Sequence, residues 1–235
     1  ASRTLSTCLI KDLNSKYGTH IVRNGDIIRV PNEEIEVQPS DILKFGLQQH
    51  IYTVEYIPFI TVVSRLSPDD GRELKIILDN IGGRVADSLD SYCTHLTVTN
   101  ATSTEKVISA LISGIPIVDV RYWKRIVSAI DSSANLPDPD DFVLPLRDRD
   151  MNAHKVCLKP DKARKSLFSG KSFIFLSEDS FAKNKKMIHL AGGEAKKYIL
   201  NSTEVPEYFF DERNIIVQLL EYDDSVHSST IIVKI

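Results

Sequence analysis

The chain has 235 residues and a mass of 26.4 kDa, enough at about 150 residues per domain for one large domain or two to three small ones. Hydrophobic residues make up 42% and charged residues 26%, a globular balance that excludes disordered, collagenous, coiled-coil and disulfide-scaffold classes. With 29 basic against 32 acidic side chains the net charge is −3 and the pI about 6.1, so no global cationic field draws the chain to nucleic acid or anionic membrane, and any DNA contact must be local.

Cys8, Cys93 and Cys157 are widely spaced, form no C-x-x-C pair and make no zinc-ligand set with the scattered histidines, which fits a reducing compartment. No apolar run approaches the ~18 residues that cross a bilayer, and Ala1-Ser2-Arg3-Thr4 is not a secretory n-region, so neither membrane nor secretion is expected. The sequons at Asn100 and Asn201 are read as silent on that basis.

Residues 1–58 read as all-β. Short apolar runs at Cys8-Leu9-Ile10, Asp26 to Val30, Ile42 to Phe45 and Ile51 to Tyr56 are separated by turn formers, with Asn24-Gly25 a strong two-residue hairpin signal. Spaced strands suggest a sandwich or barrel, but 58 residues is short for one, and the expectation is an N-terminally incomplete domain.

From Pro58 the pattern alternates strand and helix. Phe59 to Val63 reads as a buried strand; Ser67-Pro68-Asp69-Asp70 then supplies an N-cap, a proline at the first helical position and acids in the first turn. Leu74, Ile77, Leu78 and Ile81 form the apolar stripe of that helix, and Gly82 can take the left-handed conformation that ends it. A strand from Gly83, a strand at His95–Val98, a helix over about 103–113, a strand at Ile115–Val118 and a helix over about 122–130 complete an α/β unit spanning 59–146. The region from Asp131 to Lys165, rich in proline and charge, lacks an apolar period; 147–165 is read as a linker. A strand at Phe173–Leu176, a polar helix and Gly192-Gly193 then repeat the earlier order, Gly82-Gly83 recurring 110 positions on, so 166–235 is read as a second, less complete copy ending in strands at Ile215–Val217 and Ile231–Val233. No tryptophan helix like that around Trp123 is found in it.

Catalysis has little support. The six histidines are scattered without H-E-x-x-H, no Gly-x-Ser-x-Gly elbow occurs, and no cofactor or metal set is recognised. Gly170-Lys171-Ser172 resembles the end of a P-loop, but Lys165 stands where its first glycine belongs, so it reads as a turn before a strand. Asp140-Asp141 and Asp223-Asp224 read as solvated acids in polar loops. The more informative place is the helix near Ser103. Thr102-Ser103-Thr104-Glu105 fits a capping box, which puts Lys106 in the first turn, where a cation is disfavoured unless an anion docks against the amides. Lys106 is thus an anion ligand or a plain surface lysine, and Ser64, at the end of the first α/β strand, is a hydroxyl donor to the same anion or an ordinary strand-end serine. In the β region Asn14, Ser15, Lys16 and Tyr17 occupy a polar loop suited to peptide or anion recognition, or simply to turning the chain.

Asp12 to Thr19 together with Ser40-Asp41-Ile42-Leu43-Lys44-Phe45-Gly46 resembles the C-terminal half of a forkhead-associated (FHA) domain, a β-sandwich that binds phosphothreonine peptides. Phe59 to Val143 resembles a BRCT domain through Gly82-Gly83, Cys93-Thr94-His95-Leu96, Gly114 to Val118 and Tyr122-Trp123, and Arg164 to Leu176 with Gly192-Gly193-Glu194-Ala195 resembles a second one. The order FHA, BRCT, BRCT is similar to that of the regulatory subunits of the DNA double-strand-break repair complex. The fold implied is a multidomain chain: a partial FHA-like β-sandwich, then two α/β BRCT-like domains with central parallel sheets.

The resemblance implies a phosphate site at Ser64, the backbone at Arg65, and Lys106, with Thr104 close by. Phosphate-binding BRCT domains usually carry glycine where Arg65 stands, letting the amide approach; arginine could instead contact the phosphate directly. For Asn14, Ser15, Lys16 and Tyr17 it implies only a place in the FHA peptide-binding loop. The FHA arginine and serine ligands that precede the Gly-Thr turn have no counterpart beyond Ser2-Arg3. The function implied is a non-catalytic nuclear adaptor for proteins carrying phosphothreonine or phosphoserine at DNA damage. Its other implied partners, the nuclease, a Rad50-type ATPase and a checkpoint kinase, are held through regions beyond this chain. The rival reading is a scaffold for unmodified proteins or DNA ends, using Lys155, Lys159, Lys162, Arg164, Lys165 and Lys171.

Overall fold

A computed structural model of the chain describes residues 7–47, 51–142, 144, 147, 156–198, 209, 211–219 and 230–233, and divides into two compact units, 1–58 and 59–235. In the first unit β1 (Cys8–Ile10) pairs antiparallel with β4 (Ile35–Val37). A second antiparallel sheet runs β3 (Asp26–Arg29), β2 (Thr19–Arg23), β5 (Ile42–Phe45), β6 (Ile51–Thr53). The Asn24-Gly25 hairpin forms as the sequence predicts: both residues have positive φ, +51° and +91°, and Arg23 pairs with Asp26 across the two-residue loop. The central strand β2 was not among the predicted ones. Its Ile21 is fully buried with Val30 and Val37, but His20 and Arg23 flank it and the turn formers before it mask the alternation.

The second unit begins with a four-stranded parallel sheet ordered β10 (Ile117–Val118), β9 (His95–Val98), β7 (Ile60–Ser64), β8 (Arg84–Ala86). Helices α1 (Pro68–Asn80) and α3 (Val120–Asp131) pack together, burying Leu74, Leu78, Trp123 and Ile126 with Phe59 and Val118. Helix α2 (Glu105–Ser113) packs Val107, Ala110 and Leu111 into a separate core with Val62, Leu96, Val98 and Ile117. The local signals act as read: Ser67 Oγ accepts from the Asp70 amide, Pro68 opens α1, and Gly82 follows it at φ +69°. Trp123 is fully buried because its one polar atom is satisfied, Nε1 donating to Thr97 Oγ1 at 2.8 Å, with Thr97 bonded in turn to Thr61 at 2.7 Å.

The second sheet is ordered β12 (Glu194–Lys197), β11 (Ser172–Phe175), β13 (Asn214–Leu219), β14 (Thr230–Val233), with β14 antiparallel and the other three parallel, and α4 (Glu178–Leu190) leads from β11 to β12. The two α/β halves touch through α2 and α4, where Lys186 Nζ meets Glu105 Oε1 at 2.8 Å. The polar stretch read as a linker is tied down at its C-terminal end: Leu158 is buried in the α2 core with Val156 against it, and Arg164 donates to the carbonyls of Leu111, Cys157 and Lys159. Ser2-Arg3, Lys155, the Asn201 sequon and Asp223-Asp224 lie outside the described residues.

Candidate functional site

The predicted α/β residues come together at one place. β7 ends at Ser64, and in a parallel sheet the C-terminal strand ends face the N-termini of the following helices. Ser64 Oγ lies 3.2 Å from Thr104 Oγ1, and Lys106 Nζ donates to the Val63 carbonyl at 2.9 Å, so two hydroxyls and an ammonium gather at the first turn of α2.

The geometry corrects the capping box. The N-cap is Thr104, two residues later than the spacing suggested; its Oγ1 accepts from the Val107 amide at 3.3 Å, and Glu105 is the first helical residue rather than the third. Thr102 instead accepts from Arg65 Nη1 at 3.3 Å. Arg65 itself has φ +49°, the left-handed region that glycine occupies without a Cβ penalty, so a glycine at this position answers to backbone shape as well as to close approach. Glu105 is held below the usual carboxylate range by its hydrogen bond from Lys186, which places a neutralised pair beside Lys106.

In the first unit the loop between β1 and β2 is organised by a residue that the sequence reading left out. Asp12, 7% exposed, accepts from the Ser15 amide at 2.6 Å and the Ser15 hydroxyl at 2.8 Å, and these bonds lower its pKa to about 2. The D-x-x-S spacing was the available signal. Asn14 sits at φ +62°, Lys16 lies over the Tyr17 ring at 5.3 Å, and Tyr17 is half exposed. Asn14 and Ser15 line a shallow cavity of about 290 Å³ with Arg29 and Asn32.

Several of the remaining candidates are engaged elsewhere. In the basic run Lys159 pairs with Asp140 at 3.6 Å and Arg164 is spent on three carbonyls. Lys171 donates to the Glu212 carbonyl and Ser172 to Glu194, so Gly170-Lys171-Ser172 is the turn into β11. Among the described residues no group of three His, Cys, Asp or Glu could hold a metal, and no helix is long and apolar enough to cross a membrane.

Residues 59–127 match the BRCA1 C Terminus (BRCT) domain family, and residues 162–233 match the family described as the second BRCT domain on Nijmegen syndrome breakage protein. The chain is 31% identical to nibrin of Rattus norvegicus over 209 residues, 87% of this chain and 27% of that protein. It is 32% identical to nibrin of Gallus gallus over 187 residues, 80% of this chain and 24% of the relative. It thus spans about a quarter of the length of the curated relatives it matches. Among solved structures, the FHA/BRCT-repeat domain of S. pombe Nbs1 matches with a TM-score of 0.53 at 14% identity, over 88% of this chain and 64% of that one. The S. pombe Nbs1-Ctp1 complex matches with a TM-score of 0.50 at 16% identity, over the same shares. The fold read from the sequence, a β-rich first unit followed by two BRCT-type α/β sheets, is the fold observed.

Proposed function

From a chain homologous to the nibrins over most of its length and carrying two BRCT domains, we propose a phosphopeptide-binding adaptor with no catalytic step of its own, acting in the nucleus in the repair of DNA double-strand breaks. The observation that carries this reading is the convergence of Ser64, Thr104 and Lys106 at the first turn of α2. A phosphate arriving there accepts from both hydroxyls, takes the Lys106 ammonium from the Val63 carbonyl, and meets the amides and positive dipole end of the helix. Its partner in this reading is a phosphorylated damage-response protein; the similar S. pombe Nbs1 is itself found in complex with another protein, Ctp1. In this reading the FHA-type loop of Asn14, Ser15, Lys16 and Tyr17 is a second peptide-binding surface. Contacts to a nuclease, a Rad50-type ATPase and a checkpoint kinase belong to stretches outside these 235 residues.

Titration of the chain with a phosphoserine-Asp peptide and its unphosphorylated twin tests the reading, with Lys106→Ala alongside. We expect binding of the phosphorylated form alone, weakened at least about tenfold in the variant, since a charge-assisted hydrogen bond contributes roughly 1.5–3 kcal/mol. Phospho-dependent binding that ignores the substitution moves the phosphate to the first unit, and equal binding of the two peptides defeats the adaptor reading.

A further inference from the structure

Three basic side chains stand side by side across the second sheet of the first unit. The register sets His20 on β2 directly opposite both Arg29 on β3 and Lys44 on β5, so all three project from one face, while Ile21, the next residue of β2, points the other way into the core. Arg29 and Lys44 are exposed and His20 partly so, and none of the three makes an ion pair or hydrogen bond among the described residues. Gly18 lets two of them meet. It has φ +70°, and a Cβ built on it would stand 3.2 Å from Arg29 Nε, 3.5 Å from Arg29 Nη2 and 3.4 Å from His20 Cε1. The guanidinium and the edge of the imidazole therefore converge over the turn that closes the Asn14–Tyr17 loop.

Arg29 also lines the cavity of about 290 Å³, whose other walls are Asp12, Asn14, Ser15, Val30, Pro31 and Asn32. Asp12 is its one carboxylate; it is 7% exposed and spent on Ser15 and Thr19. Asn14 and Asn32 are exposed, and their side-chain amides have no hydrogen-bond partner among the described residues. These groups divide by chemistry. The row of Arg29, His20 and Lys44 supplies positive charge and N–H donors to one compact anion, whereas the amides of Asn14 and Asn32 both donate and accept, as the backbone of a peptide beside that anion requires. A nucleic-acid strand fits worse. It needs cations along several phosphates, and apart from Lys16, which lies over the Tyr17 ring, the surroundings of the row are acidic, with Asp12 in the cavity and Glu33 and Glu34 exposed after Asn32.

We propose that the row of Arg29, His20 and Lys44 is a phosphate-binding element of the first unit, holding the phosphorylated side chain of a peptide whose backbone is held by Asn14 and Asn32. The proposal rests on the reading of the loop as a peptide-binding surface and is independent of Lys106. The test is a titration of the isotope-labelled chain with N-acetyl-phosphothreonine-methylamide, its unphosphorylated twin and inorganic phosphate, followed by amide chemical shifts. The phosphorylated probe should give saturable shifts at Gly18, His20, Arg29 and Asn32, the twin none, and inorganic phosphate weaker ones that spare Asn32. Arg29→Gln should weaken the probe at least about tenfold, or about 1.4 kcal/mol, the low end for a hydrogen bond to a charged group. It should leave the melting temperature of the free chain unchanged, because it breaks no ion pair or hydrogen bond. Lys44→Gln should weaken the probe by less, and Lys106→Ala should leave it as it is. Equal response to probe and twin, wild-type affinity in Arg29→Gln, loss of the shifts in Lys106→Ala, or tighter binding of single-stranded oligothymidylate to this face would each overturn the proposal. Inorganic phosphate binding as tightly as the probe would overturn the peptide-binding loop and leave the row a bare anion site, so the two readings fail separately.

Discussion

His95 shows how one side chain links burial to pH. It opens β9, is 7% exposed, and bridges the Thr94 hydroxyl at 2.8 Å and the Tyr122 hydroxyl at 3.0 Å, with Trp123 edge-on at 4.8 Å. Burial lowers its pKa to about 4 from an ordinary 6.5, and burial, then the charge of Asp138, pushes Tyr122 up to about 12. The unfolded chain therefore binds a proton on this histidine that the folded chain refuses. Stability is full above pH 6.5 and is lost as pH falls from there towards 4, by about 3 kcal/mol over the whole window. The carboxylates with depressed values, Asp12 among them, lose their contribution only at more acid pH. Thermal melts at pH 7.5 and 5.0 should show a drop that His95→Gln flattens; a wild-type melting temperature independent of pH across that range would refute the account.

At the scale of elements, the repeat is explained by two glycines that fill the same steric role. A Cβ on Gly83 would stand 2.8 Å from Leu78 Cδ2 and 3.0 Å from the Phe59 carbonyl. On Gly193 it would stand 2.8 Å from Phe168 Cβ and 3.0 Å from Ile188 Cγ2. In both halves the turn after the helix is pressed against a phenylalanine that precedes the central strand and against a buried apolar side chain near the end of the helix. Gly83→Ala and Gly193→Ala should each destabilise by about 1–3 kcal/mol, as overpacking does. Alanine tolerated at either position, with an unchanged denaturation midpoint, would remove close approach as the reason for the motif. This element-level logic was legible in advance, because glycine pairs, caps and the α1 stripe are local signals with one physical meaning. Thr104 as N-cap was not: Thr102, Ser103 and Thr104 are all competent caps, and only the reach of Ser64 from another strand decides between them. Arg65 was legible only as a departure from glycine; its left-handed backbone appears once β7 is seen to turn there into the loop before α1. Asp12 was marked only by the D-x-x-S spacing, which gives the Ser15 contact but not the burial of the carboxylate.

At the scale of the α/β unit, cohesion between the halves depends on Arg164, which composition had assigned to a solvated basic run. Its guanidinium reaches the Cys157 and Lys159 carbonyls at 2.9 and 2.8 Å and, at 3.4 Å, the Leu111 carbonyl in the last turn of α2, which also accepts from the Gly114 amide. The planar fork meets three acceptors at once, which a lysine ammonium on a flexible stem cannot do from the same place. It therefore ties the C-terminal end of α2 to the segment that leads into the second sheet, while Glu105 and Lys186 join α2 to α4 nearer its start. The exposed ion pair contributes little in water, so the arginine should dominate. Arg164→Lys should cost about 1–2 kcal/mol of stability despite keeping the charge, and should speed amide exchange in residues 111–114 and 156–166. Lys186→Ala should change both by much less. Equal effects of the two substitutions would mean that the halves are held by their apolar contacts alone, and faster exchange confined to 156–166 would show that Arg164 braces the connecting segment without coupling it to α2.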